Sequence, residues 1–124
     1  MATAEQVRAA VDGYVQSFAT ADRDRFRSIL ATDVVQEEPA GSTPNRGVEA
    51  LSGFWDSLWS NLQAIEFESR ELYVAGDEAA LVFTIVQHPK SGGRVTIDGV
   101  DTFRIDDQGR IAHIRGFGSV REPA

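Results

Sequence analysis

The sequence predicts an α+β fold, with three helices from the first half of the chain packed on one face of a sheet built from the second half. Two patterns carry that reading. Apolar residues recur at helical spacing through most of the first sixty positions, apart from one short strand. Beyond them they fall into segments of about ten residues separated by turn-forming clusters. Size agrees: 124 residues with 42% hydrophobic content suit one domain spanning 1–124, whose folding buries roughly 60–70% of the unfolded surface.

Thr3, with Gln6 three residues later, is a capping-box signal and opens the first helix, whose inward face carries Val7, Val11, Tyr14 and Phe18. Asp22 or Asp24 caps a second helix with Phe26, Ile29 and Leu30 inward. A short strand, Val34 to Glu38, ends at Pro39, which lacks a backbone donor. The loop Ala40 to Arg46 holds Gly41 and Pro44, and a third helix follows with Leu51, Phe54, Leu58 and Leu62 facing in. Four strands then lie near 65–75, 79–88, 94–105 and 110–119. They are joined at Gly76-Asp77, Ser91-Gly92-Gly93 and Asp106-Asp107-Gln108-Gly109.

Composition excludes several function classes. Without cysteine there is no disulfide, thiol nucleophile or cysteine zinc site. A net charge of −7, with the basic residues scattered, argues against a nucleic-acid partner. The two histidines, His88 and His113, lack metal-motif spacing, so a metal site is not expected. No apolar stretch reaches the roughly 18 residues of a membrane helix, and the N-terminus shows no basic segment followed by an apolar run. A cytoplasmic protein without a membrane partner is the expectation.

Three polar residues stand where apolar ones belong. Tyr14 lies within the apolar stripe of the first helix, so its buried hydroxyl needs a partner. On the third long strand, alternation puts Asp101 on one face with Ile97, Gly99, Phe103 and Ile105, opposite Asp98, Thr102 and Arg104. A carboxyl on that face must bind a proton or find a cation; a protonated one is a hydrogen-bond donor. Glu38 sits where a strand leaves the sheet, extended before Pro39, while alternation turns Glu37 the other way. Taken singly, each also reads as an ordinary core tyrosine, an Arg-paired aspartate or a solvated loop acid.

The segment Gln36-Glu37-Glu38-Pro39-Ala40-Gly41-Ser42-Thr43-Pro44-Asn45-Arg46-Gly47 resembles the acid-Pro-x-Gly-Ser-x-Pro loop of the bacterial 3-oxo-Δ5-steroid isomerases, or ketosteroid isomerases. Those enzymes belong to the nuclear transport factor 2-like (SnoaL-like) superfamily. Gly13-Tyr14-Val15 and Val100-Asp101-Thr102-Phe103-Arg104-Ile105 match by position; Asp22 and Asp33-Val34-Val35 are weaker matches common to the superfamily. The resemblance runs over nearly the whole chain. It implies a cystatin-like cone: three helices against a curved, mostly antiparallel sheet. It also implies a base at Glu38, oxyanion donors at Tyr14 and protonated Asp101, and a small apolar ketone, a steroid, as substrate. Ketosteroid isomerase is the standard example of a base beside a neutral acid held in an apolar site.

An apolar substrate lining is expected from Phe54, Trp55, Leu58, Phe83, Ile85, Phe103, Ile114, Gly116 and Gly118, with Trp55 bordering Tyr14. The resemblance also implies a homodimer, formed through the outer sheet face bearing Thr84, Val86, Arg115 and Phe117. The sequence departs from the family's pattern at three places: Glu38 replaces the usual Asp, Trp55 replaces a supporting tyrosine, and Gly118 replaces a common aromatic. Two other readings stand beside this one, a polyketide-cyclase-like enzyme and a non-catalytic binder of small apolar ligands. His113, out of phase with Ile114, and His88, beside Pro89 at a strand end, are poorly placed for the Asp–His pairs of the former.

Overall fold

Helix α1 (Ala4–Ala19) begins at its predicted cap in the computed structural model, which describes residues 1–122. The Gln6 N–H donates to Thr3 Oγ1 (3.1 Å) and the Thr3 N–H to Gln6 Oε1 (2.9 Å), so two otherwise orphaned donors are satisfied reciprocally. Val7, Val11, Tyr14 and Phe18 are buried along one face. Helix α2 (Arg23–Ser28) is capped by Asp22, which accepts from the Arg25 N–H at 3.0 Å.

Three boundaries differ from the sequence expectation. Strand β1 (Leu30–Glu37) starts at Leu30 rather than Val34, because the Ile111 N–H donates to the Ile29 carbonyl (2.8 Å) and Leu30 pairs with Ile111. Ile29 and Leu30, expected on the inward face of the second helix, lie beyond its end at Ser28, because pairing with a distant strand overrides their helical spacing. The loop contains a two-residue strand, β2 (Asn45–Arg46), paired with β1. Helix α3 (Val48–Trp59) ends before Leu62, which opens β3 (Leu62–Ala75) instead. Gly47 precedes α3 at φ 88°, a conformation open to glycine, and its N–H donates to the Val34 carbonyl.

With β4 (Glu78–Pro89), β5 (Val95–Ile105) and β6 (Ile111–Val120), the strands form one six-stranded sheet in the order β2-β1-β6-β5-β4-β3. Strands β3 to β6 form an antiparallel meander, and β1 runs parallel to β6. The register of β3 shifts between Leu62 and Ala64 and again between Ser69 and Glu71. Each irregularity flips the alternation, which is why the apolar positions of β3 run Leu62, then Ile65 and Phe67, then Leu72 and Val74. Such bulges bend a strand and curve the sheet around the helices.

The core lies between the concave face and the helices. Phe26, Leu51, Leu81, Phe103, Ile105, Ile111 and Ile114 are fully buried there. Trp55 stacks on Phe26 with ring centroids 4.7 Å apart and tilts against Phe18 at 4.8 Å, tying α1, α2 and α3 together. Among the described residues no helix is long and apolar enough to cross a membrane.

Gly99 is closely packed against the backbone of β6 and a ring of β4. A Cβ there would overlap the Phe117 carbonyl oxygen and lie 2.8 Å from the Phe83 ring. Gly99→Ala should therefore cost about 1–3 kcal/mol through forced backbone and ring displacement, read as a lower urea midpoint with an unchanged m-value. A loss below half a kilocalorie would show that β6 gives way freely.

Candidate functional site

The concave face and the helices enclose a cavity of about 210 Å³. Helix α1 contributes Tyr14 and Phe18, and α3 contributes Phe54 and Leu58. The sheet contributes Ile65 and Phe67 from β3, Phe83, Ile85 and Gln87 from β4, and Ile97 and Asp101 from β5. Phe117 and Gly118 of β6 and Glu38, just beyond β1, complete the lining. The walls are thus apolar, with four polar side chains facing them.

Three of the four converge. Asp101 is 4% exposed and is paired across the ladder with Leu81 on one side and Gly116 on the other. Gly116 lies directly beneath Glu38: a Cβ on it would overlap the carboxylate oxygen Oε2. Neighbouring strands lie about 4.8 Å apart, so the shared neighbour Gly116 sets the Glu38 carboxylate beside Asp101. Tyr14 approaches from the helix side, its ring held by Phe18 (4.9 Å) and, edge-on, by Phe103 (5.1 Å). The only enclosed side-chain polar atoms without a partner among the described residues are Gln36 Nε2 and Trp59 Nε1. Among the described residues no group bonds the Tyr14 hydroxyl or the Asp101 carboxyl, and both residues line the cavity.

Local structure explains why Glu38 turns inward. Glu37, one residue earlier, is held on the opposite face. Its Oε2 lies 2.9 Å from His113 Nε2 and accepts from Arg115 Nε at 3.1 Å, and its Oε1 accepts from the Gly41 N–H at 3.3 Å. The Ala40 N–H donates to the Gly116 carbonyl (2.7 Å), docking the start of the loop on β6. These contacts hold Glu37 below the usual carboxylate range, first through His113 and then through Gly41 and Arg115.

Burial does the reverse inside. Asp101 is pushed up to about 8, first by desolvation and then by the negative charge of Glu38. Glu38 is raised by partial desolvation at the cavity rim. The Tyr14 hydroxyl is raised well above its ordinary value by burial and then by the charges of Asp101 and Glu38. Because the charge of Glu38 adds to the rise of Asp101, Asp101 is the acid of the pair favoured to keep its proton, and like the Tyr14 phenol it can then donate a hydrogen bond.

Phe54, Leu58, Phe83, Ile85 and Gly118 lie in the cavity lining, together with Tyr14, Glu38 and Asp101. Gly116 supports Glu38 from below. Phe103 and Ile114 lie deeper, 2% and 0% exposed, as packing behind the wall. Trp55 is outside the lining and packs its ring on Phe18 and Phe26, and Phe18 in turn packs on Tyr14. Phe117 was expected on the outer face; its ring lies there under the Arg115 guanidinium, 5.3 Å away, although the residue also contributes to the lining. Both histidines pair outside the cavity, His113 with Glu37 and His88 Nε2 with Glu66 Oε2 at 2.6 Å.

Sequence reasoning missed Phe18, Ile65, Phe67, Gln87 and Ile97 as lining residues. Phe18 follows Tyr14 at helical spacing, and Gln87 continues the alternation of Phe83 and Ile85, so both signals were present. Among the described residues no group of three His, Cys, Asp or Glu side chains could hold a metal ion.

Residues 11–114 match the SnoaL-like domain family, and the chain belongs to that family. A Δ5-3-ketosteroid isomerase from Mycobacterium sp. superposes with a TM-score of 0.83 at 25% identity, covering 94% of this chain and 98% of its own. A Mycobacterium tuberculosis protein in complex with estradiol-17β-hemisuccinate gives 0.82 at 23% identity, covering 90% and 92%. An LEH-like epoxide hydrolase from M. tuberculosis gives 0.80 at 20% identity, covering 93% and 84%.

The Asp101 environment predicts a pH dependence of stability. Its folded pKa of about 8 exceeds the ordinary 3.8, so between those values the folded state holds a proton that the unfolded state has released. Its contribution to stability is fully present below the lower value and declines as pH rises, by up to about 1.4 kcal/mol per pH unit, levelling off above pH 8. Asp101→Asn removes the titration. Urea unfolding from pH 5 to 9 should show the stability difference drifting in the mutant's favour up to about pH 8 and then flattening. A flat difference throughout would mean that Asp101 ionises normally.

Proposed function

We propose that this SnoaL-like chain is a steroid Δ-isomerase, moving the 5,6 double bond of a 3-oxo-Δ5-steroid to the 4,5 position. The observation that carries the proposal is the pairing, at one edge of an apolar cavity, of an ionised carboxylate with a carboxylic acid whose pKa is pushed to about 8. Environments that separate the pKa values of two neighbouring acids assign one as base and the other as donor. The likeness to a ketosteroid isomerase and to a protein complexed with an estradiol ester supports a steroid as the apolar ligand.

Glu38 removes a proton from carbon 4. The C–H electrons form the C3–C4 double bond, and the carbonyl electrons move onto the C3 oxygen, giving a dienolate. Tyr14 and neutral Asp101 donate to that oxygen, and their bonds strengthen as charge develops, which lowers the barrier rather than merely binding substrate. Glu38 then returns the proton at carbon 6, the carbonyl re-forms and the double bond settles between carbons 4 and 5. One carboxylate serves as base and then acid, so no cofactor enters. The longer Glu side chain, in place of the family's Asp, is accommodated by the bare backbone of Gly116. In the same reading the protein works in the cytoplasm as a homodimer joined through the outer sheet face.

Purified protein should convert 5-androstene-3,17-dione to its conjugated isomer, followed by ultraviolet absorbance. Glu38→Gln should remove most turnover while steroid binding persists; a loss below tenfold would place the base elsewhere. Tyr14→Phe should lower kcat about 10²–10³-fold, and Asp101→Asn, which still donates, should be milder than Asp101→Ala. Tight steroid binding without any turnover in the wild type would identify a binder instead of an enzyme.

Gly116→Ala tests the shelf under the base. Its Cβ takes the space of the Glu38 carboxylate, so kcat should fall at least tenfold while the thermal midpoint moves little, since a flexible side-chain tip is what yields. Unchanged kcat would show that Glu38 acts from another position.

A further inference from the structure

Along β4 the inner face carries Leu81, Phe83, Ile85 and Gln87 in alternation. The first three are apolar and Gln87 is not. It lines the same cavity as the Tyr14–Glu38–Asp101 cluster but stands at the other end of it. In the ladder Asp101 pairs with Leu81, whereas Gln87 pairs with Val95 on β5 and Ile65 on β3. The offset from Leu81 to Gln87 along an extended strand is roughly 20 Å. Between the two levels the lining is Phe67, Phe83, Ile85 and Ile97, without a polar side chain.

The Gln87 amide has no protein partner among the described residues and is not one of the enclosed unpartnered groups, so it opens on the cavity. A half-buried amide facing an apolar wall loses hydration when a ligand fills the cavity, unless the ligand returns a hydrogen bond. An amide offers both a donor and an acceptor. Less two hydrogen bonds of about 2.9 Å each, that offset leaves at most roughly 14 Å between two ligand oxygens, a span shortened further as both side chains lean into the cavity and filled by a rigid apolar body.

We propose that Gln87 forms a second polar subsite, hydrogen-bonding a carbonyl or hydroxyl at the end of the ligand remote from the reacting ketone. This rests on the steroid reading above and narrows it. The favoured substrates are 3-oxo steroids that also carry oxygen at carbon 17, over those with a bare hydrocarbon ring there. Gln87 is then a specificity residue, acting on binding of the distal end and leaving the proton transfer to Glu38.

The test measures equilibrium binding of reaction products to the full chain, so turnover is not required. Androst-4-ene-3,17-dione and androst-4-en-3-one are titrated into wild type and Gln87→Leu. The readout is the ratio of the two dissociation constants, which cancels any general change in the cavity. Loss of one hydrogen bond should shift that ratio about fivefold against the dione in Gln87→Leu. Gln87→Glu keeps the length and, when ionised, the acceptor but loses the donor, so it should favour the 17β-hydroxy analogue testosterone over the dione. A ratio unchanged in Gln87→Leu, with Gln87→Glu indifferent between hydroxyl and ketone, would overturn the subsite while leaving the steroid reading intact. Failure of the wild type to bind any of the three steroids is a different result and would overturn the steroid reading itself, and the subsite with it.

Discussion

The site depends on one constraint: an acid buried on the inner face of the sheet without a cation to pair it among the described residues. The sheet sorts its charges by face. Arg70 and Arg121 gather around Thr84 and Asp98 outside, Arg115 reaches Glu37 outside, and Arg104 is exposed. None of them reaches Asp101, so desolvation is left to set its protonation state. The same carboxyl beside an arginine would ionise and cease to be a donor. The apolar walls thus determine the chemistry as well as the shape of the cavity.

Geometry around Glu38 follows from alternation and a missing side chain. Two adjacent glutamates end β1 with opposite roles. Glu37 is fixed outside by His113, Arg115 and Gly41, and this forces Glu38 inward. There it meets the bare backbone of Gly116, the cross-strand partner of Asp101. A general base must be held close to its proton, and here backbone packing contributes to that restraint.

How much of this was legible in the sequence depended on whether local pattern or distant pairing decided each element. Asp101 was placed correctly because β5 runs from Ile97 to Arg104 without a bulge, so counting by twos suffices. The capping box at Thr3 and Gln6 and the Asp22 cap are equally local. Strand β3 was harder, because its two bulges break the alternation and hide Ile65 and Phe67 as lining residues. The start of β1 was not legible, since its partner is a strand far along the chain. Trp55 was expected in the lining and packs in the core instead, because helical periodicity gives a face, not a neighbour, and the Phe18 and Phe26 rings take up its own. The loop acid Glu38 was singled out by resemblance; from residues alone it was one of 19 acidic side chains.

The parallel join between β1 and β6 has a kinetic meaning. Glu37 and Arg115 are 78 residues apart in sequence, and closing so long a loop is slow compared with forming helices or hairpins. As the chain leaves the ribosome, α1, α2 and α3 emerge well before the strand that receives Glu38. The meander can zip locally, hairpin by hairpin, but the cluster has no floor until β6 pairs with β1. Assembly of the site is therefore among the last events in folding. Until then the concave apolar face stands open, the form of the protein most exposed to aggregation and proteolysis.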